Sequence, residues 1–212
     1  YHLNLQGIDE GKPVDSLEMI DVISRGLNPY REFDSYLALA EQPQMRFIIS
    51  NTTEAGIAFD PNCKFTDKPA SSYPGKLTQL LYHRFEYFKG DKSKGFIIMP
   101  CELIFENGKH LKECIRQYIK LWNLGEEFSN WFDNACGVYC TLVDRIVPGY
   151  PRDTAAQLCE RAGYQDNLLD KAEIFHLWVI EAPAEVAAEF PADKAGLHVL
   201  FVPSEAPYHE RK

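Results

Sequence analysis

Two short and nearly wholly apolar runs constrain this chain most: Arg46-Phe47-Ile48-Ile49-Ser50 and Gly95-Phe96-Ile97-Ile98-Met99-Pro100. A strand with one wet face alternates apolar and polar residues, whereas an unbroken apolar run requires both faces of its sheet to be covered. Each run is followed by apolar residues at helical spacing. In Pro74 to Phe88 they are Leu77, Leu80, Leu81, Phe85 and Phe88, with Ser71 or Ser72 placed to cap the start. Further on, Leu111, Cys114, Ile115, Tyr118, Ile119 and Trp122 form a second such stripe. Strand, helix, strand, helix in this order predicts an α/β fold, a doubly wound and mostly parallel sheet with helices on both sides.

The rest of the chain extends that pattern. The first residues and Leu17 to Ile23 read as a hairpin around a turn at Gly7 to Pro13, and Phe33 to Ala40 as a short helix. Asp153 is positioned to cap a helix that runs through Ala162 and stops at Gly163. Glu173 to Glu181 and His198 to Pro203 read as strands, with a short helix over Ala184 to Phe190 between them. With no repeat and no linker-like stretch, residues 1–203 are expected to form one domain, with 204–212 leading out of it. The opening Tyr1-His2-Leu3-Asn4-Leu5-Gln6 alternates like a strand and has no starter Met. It reads as a cut inside a longer protein, although a processed terminus would look the same.

Composition narrows the function classes. A net charge of −9 without a long Lys/Arg cluster argues against nucleic acid, while local arginines can still hold an anionic substrate. Six cysteines with no secretory leader read as reduced thiols of a cytoplasmic protein. Cys136 and Cys140 could face a metal together on a helix, but the usual ligand pairs are not nearby, and small buried residues are the expected reading; no metal is assigned. The longest apolar run is far short of the roughly 18 residues of a membrane span.

Ligands of open parallel sheets bind beyond the carboxyl ends of the strands. The loops to watch are therefore Asn51-Thr52-Thr53-Glu54-Ala55-Gly56 and Cys101-Glu102-Leu103-Ile104-Phe105-Glu106-Asn107-Gly108. Each also reads as an ordinary polar loop; what favours function is that both leave consecutive strands and could line one cleft. No Gly-x-Gly-x-x-Gly follows a strand, so either there is no dinucleotide or that loop lies upstream of Tyr1. Asp144 and Arg145, set among apolar neighbours, suggest a buried or half-buried charge pair with a structural or a substrate-contacting role.

Val143-Asp144-Arg145-Ile146-Val147-Pro148 resembles the signature of the long-chain mannitol dehydrogenase family, and Thr53-Glu54-Ala55-Gly56 and Cys101-Glu102 through Asn107-Gly108 resemble two of its earlier loops in the correct order. Ser50 to Ile57, Pro100 to Ile104 and Pro148 to Asp153 are most similar to its sugar-acid branch. The resemblance implies an amino-terminal Rossmann-like domain, here incomplete at its N-terminal edge, and a helical carboxyl-terminal substrate domain outside this chain. It implies NAD as cofactor, with Asn51, Thr52, Thr53, Glu54, Cys101 and Glu102 at the cofactor side. Asp144, Arg145, Cys140 and Glu181 fall at the substrate side, where Glu181 either orients the catalytic lysine or simply ends a strand.

Family catalysis uses a lysine with Asn five and His eight residues further on; Tyr208-His209-Glu210-Arg211-Lys212 maps Lys212 onto that lysine. A lysine serves as general base when burial or nearby cations bring its pKa toward neutrality. Cys140 stands where the family has an Asn that polarises the reacting oxygen; a thiol is a poorer donor, so either the local register differs, with Asn134 or Thr141 taking part, or this contact is weaker. The implied activity is metal-free interconversion of a keto and a hydroxy sugar acid. The alternatives are another polyol or sugar-acid activity of the same family, or a chain that is a non-catalytic scaffold by itself.

Overall fold

A computed structural model describes residues 1–210; Lys212 lies outside them. Along the chain come β1 (His2–Asp9), β2 (Lys12–Met19), α1 (Phe33–Ala38), β3 (Phe47–Ser50), α2 (Tyr73–Tyr87), β4 (Ile97–Pro100), α3 (Asn107–Leu121) and α4 (Glu126–Ala135). Then follow β5 (Gly137–Val138), β6 (Cys140–Asp144), α5 (Ala155–Ala162), β7 (Asp170–Glu173), β8 (Leu177–Glu181), α6 (Ala184–Glu189), β9 (Val199–Val202) and α7 (Ala206–His209). The chain forms two compact units: a smaller one from Tyr1–Gly26 and Asp144–Leu177, and a larger one from Leu27–Val143 and Trp178 onward.

In the larger unit β3, β4 and β5 pair in parallel, and β8 pairs in parallel with β9. Tyr139 alone separates β5, which pairs with β4, from β6, which lies beside β8. The unbroken apolar run of β4 is explained by what lies on each face. Phe96 and Ile98 enter a core built by Leu77, Leu80 and Leu81 of α2, Leu111 and Ile115 of α3, and Phe128 and Phe132 of α4. Ile97 and Met99 enter a second core with Ile180, Val186 and Val199. Successive residues of a strand point to opposite faces, so both must be apolar when both faces are covered.

Within this chain β3 is the end strand of its sheet, and Ile49 is 51% exposed. Ser72, as expected, caps α2 by accepting a hydrogen bond from Gly75 N at 3.0 Å. Arg84 of α2 is fully buried, with no carboxylate partner among the described residues. Its guanidinium donates to the carbonyls of Ala40, Gln42, Met45 and Lys94 and lies over the rings of Phe88 and Phe96. It thereby fixes the turn that leads into β3.

In the smaller unit β1 pairs antiparallel with β2 and parallel with β7. The hairpin turn is only Glu10-Gly11, both at positive φ, the geometry whose twist suits a two-residue connection. Gly7, expected in the turn, lies inside β1, where a Cβ would sit 2.6 Å from Ile174 Cγ1. The stretch from Glu173 to Glu181 is not one strand but the end of β7 and all of β8, which belong to different sheets. Asp153 does not cap α5; the preceding position is Thr154, without a side-chain hydrogen bond, whereas Gly163 does end the helix in the left-handed conformation. Asp166 is buried; its Oδ2 accepts from His2 N at 2.6 Å and from Tyr164 Oη at 3.2 Å. No helix among the described residues is long and apolar enough to cross a membrane.

Candidate functional site

In the larger unit the carboxyl ends of β4, β8 and β9 converge, as the hydrogen bonds among their following loops demonstrate. Glu106 N donates to Glu205 Oε1 at 3.1 Å, and Glu205 N donates to Glu181 Oε2 at 2.9 Å. β3 runs parallel beside β4, so its loop opens on the same edge.

That first loop is held from beneath by a buried carboxylate. Glu102, 1% exposed, accepts from Ser50 Oγ at 3.0 Å through Oε2, and from Thr52 N at 3.0 Å and Thr52 Oγ1 at 2.9 Å through Oε1. Asn51, Thr53 and Glu54 are exposed above it. Gly56 completes the turn with a hydrogen bond to Thr53 O, and a Cβ there would lie 1.8 Å from Thr52 Oγ1. Of the six residues assigned to the cofactor side, then, three present free surface, Thr52 ties the loop down, and Cys101 and Glu102 are buried. Burial pushes the Cys101 thiol up to about 11. Tyr73 is half-buried with its hydroxyl enclosed near Ser50, and burial raises that hydroxyl well above the usual phenol range.

The loop after β4 is pinned by Asn107, the first residue of α3. Its Nδ2 shares two hydrogens among the carbonyls of Pro100 and Glu102, both at 3.0 Å, and of Thr141 at 2.8 Å, while its Oδ1 accepts from Thr141 N at 3.0 Å. These four bonds join the end of β4 to β6. Gly108 is required beside it, because a Cβ would meet the Tyr139 carbonyl carbon at 2.5 Å. The motif Asn107-Gly108 is thus legible as packing chemistry: one amide bridges two strands and the glycine lets the helix approach them.

Cys140 and Glu181 are brought to this edge together. Burial raises the Cys140 thiol, opposed by the amide hydrogens of Lys109 and Gly108 and reinforced by the charges of Glu205 and Glu181. A buried thiol in that state is a neutral and weak donor. Neither suggested replacement fits. Asn134 lies at the carboxyl end of α4, donates to Asn130 O, and lines a cavity of about 660 Å³ near the amino ends of the strands. Thr141 is buried and its hydroxyl donates to Pro100 O at 2.6 Å. Nor do Cys136 and Cys140 share a helix: Cys136 ends α4 and Cys140 begins β6.

Beside Glu181 a cleft of about 710 Å³ is lined by Tyr139, Pro183, Ala187, Phe201 and Pro203. Two residues of this edge were not anticipated, Glu205 and His209. Glu205 is 1% exposed, and its carboxylate lies 3.1 Å from His209 Nε2. The visible signal was an acid directly after an apolar strand in Pro203-Ser204-Glu205.

Asp144 and Arg145 fall in the smaller unit and are half-buried, as their apolar neighbours suggested. Arg145 Nε donates to Glu173 O at 3.0 Å, and Glu173 Oε1 accepts from Ile146 N at 2.6 Å. Both contacts tie the strand end to β7; the substrate role of these two residues rests on the family resemblance alone.

The family model described as the mannitol dehydrogenase Rossmann domain matches residues 2–194. Over all 212 residues the chain is 74% identical to altronate oxidoreductase of Bacteroides thetaiotaomicron, and over 213 aligned positions 48% identical to altronate oxidoreductase of Escherichia coli O7:K1; it covers 44% of the length of each. Among solved structures, D-sorbitol dehydrogenase in substrate-free form superposes with a TM-score of 0.75 at 23% identity, with 98% of this chain and 43% of that one covered. Pseudomonas fluorescens mannitol 2-dehydrogenase, in ternary complex with NAD and D-mannitol, superposes at 0.74 and 19% identity, with 99% and 43% covered. At such identities these two likenesses speak for the fold.

Proposed function

The chain belongs to the mannitol dehydrogenase family through its Rossmann domain, and from that membership we propose that the longer protein containing it interconverts D-tagaturonate and D-altronate with NAD. The observation that carries the substrate is the 74% identity, unbroken over the whole chain, to an altronate oxidoreductase. Residues 1–203 serve as the NAD-binding domain, 204–212 lead into a helical substrate domain, and the protein works in the cytoplasm.

The residues present suit the cofactor. Asn51, Thr53 and Glu54 stand exposed on a loop that Glu102 fixes at the carboxyl edge of a parallel sheet. The Glu54 carboxylate repels phosphate, so this loop suits ribose hydroxyls and the nicotinamide carboxamide rather than the pyrophosphate. NAD supplies the two-electron acceptor when bound. The chain itself holds the loop that positions it, lines the cleft beside Glu181 with Tyr139 and Phe201, and moves the proton: Lys212 takes it from the altronate hydroxyl in oxidation and returns it to the forming alkoxide in reduction.

The test is steady-state reduction by the full-length protein with NADH and chelator present, on tagaturonate, fructuronate and fructose. The proposal expects kcat/KM for tagaturonate to exceed the others by tenfold or more. Equal or higher values for fructuronate or fructose would overturn the substrate, and no NADH-dependent reduction of any of them would overturn the reaction.

A further inference from the structure

The edge of the sheet carries a buried glutamate, four of whose contacts, two from the carboxylate and two from the backbone, have a single geometric result. Glu205 Oε1 accepts from Glu106 N at 3.1 Å, which fastens the loop after β4. Glu205 Oε2 lies 3.1 Å from His209 Nε2, and neither atom has another polar partner among the described residues. Glu205 N donates to Glu181 Oε2 at 2.9 Å, fastening the end of β8, and Glu205 O accepts from Tyr208 N at 2.9 Å. The His209 ring in turn stands edge-on to Phe105 at 5.1 Å. A residue with 1% exposure therefore joins three segments that chain connectivity leaves separate.

We propose that Glu205 is a positioning residue, a latch that fixes residues 204–210 against the loop after β4 and the end of β8 and so sets where the following segment with Lys212 begins. The proposal rests on the role given to Lys212 above and adds to it how that lysine's approach is fixed. Such a latch matters because a misplacement of about 1 Å at a reacting group costs on the order of a hundredfold in rate. Ordering the segment in advance also removes its backbone entropy from the catalytic step.

The groups facing Glu205 are Glu106 and Lys109, which form an ion pair with each other, Cys140 of β6, Glu181 of β8 and His209 of α7. Burial raises the Glu205 carboxyl above the ordinary range; the His209 charge and the Glu106 amide oppose this, and the Glu181 charge adds to it. The pair with His209 needs the ionised Glu205 carboxylate, so it is lost as pH falls through that raised carboxyl value.

The experiment uses the full-length protein and the variants Glu205→Ala, Glu205→Gln and His209→Gln. Three readouts are taken: kcat and KM for tagaturonate against pH, NADH affinity, and amide hydrogen exchange at Glu106 and across 204–210. The latch predicts a fall in kcat of tenfold or more for Glu205→Ala with NADH affinity within twofold. Glu205→Gln keeps an acceptor for Glu106 N, so exchange at that amide stays slow, yet the acid limb of the kcat profile is lost; His209→Gln removes the opposing charge and moves that limb to higher pH. Fast exchange over 204–210 in the wild type would overturn the latch. So would Glu205→Ala with unchanged kcat, or a full return of activity and pH profile in Glu205→Gln. If the wild type fails to reduce tagaturonate, the functional reading fails, while hydrogen exchange still decides the latch.

Discussion

Replacing Glu102 tests whether the loop after β3 is held by this buried side chain. Three donors converge on it, Ser50 Oγ, Thr52 N and Thr52 Oγ1. Hydrogen bonds to a charged group contribute about 1.5–3 kcal/mol each net, and a buried donor left without a partner costs about 1–3 kcal/mol. In Glu102→Ala both Thr52 donors recover water, because Thr52 is exposed, whereas the Ser50 hydroxyl stays buried. The net loss should be about 2–4 kcal/mol. In Glu102→Gln the amide oxygen keeps both Thr52 bonds, and Ser50 turns to accept from the amide nitrogen. Only the charge-assisted part is lost, about 1 kcal/mol. Urea unfolding followed by tyrosine and tryptophan fluorescence reads this as a midpoint shift for Ala two to four times that for Gln. The two variants should also loosen NADH binding in the same order. Equal losses for Ala and Gln, or losses for both below about 0.5 kcal/mol, would refute the reasoning, since the carboxylate would then not be the element that holds the loop.

Other expectations concern the scaffold. Asn107→Ala removes four bonds between β4 and β6 and should cost about 3–5 kcal/mol, read by the same unfolding assay. Gly108→Ala should cost about 2–3 kcal/mol, because the obstructing atoms are backbone. Ile98→Ala, at a fully buried position, should cost about 2–5 kcal/mol. In the smaller unit burial would raise Asp166, but the amides of His2 and Leu168 and the side chains of His2 and Tyr164 hold its carboxyl below the ordinary range. A depressed carboxyl stabilises above its unfolded pKa of about 3.9, and that stabilisation is lost as pH falls through the folded value. The stability gap between wild type and Asp166→Asn should accordingly be widest near neutrality and close toward pH 2.

How much of this was legible in the sequence depended on whether a residue's surroundings are local. β4 was readable because both its faces are covered and every position records it. β3 carries nearly the same wording and pairs in parallel with β4, as that wording suggested. The capping Ser72 and the terminating Gly163 act within a turn of themselves and were legible; the break between β7 and β8 was not, because Ile174 and Phe175 continue the apolar pattern while the chain changes sheets. The same distinction divides the site. Asn51 and Glu102 are both polar residues just after a strand, but only the register of β3 on β4 makes one a surface group and the other a buried anchor. Glu205 was missed because its partners Glu106 and Glu181 are far away in sequence.

The central claim, that the loop after β3 receives the nicotinamide cofactor, is tested most directly by amide hydrogen exchange of the full-length protein with and without NADH. The account predicts protection by NADH at residues 51–56, diminished in Glu102→Ala. Protection confined to other segments, with 51–56 exchanging equally fast in both conditions, would contradict it.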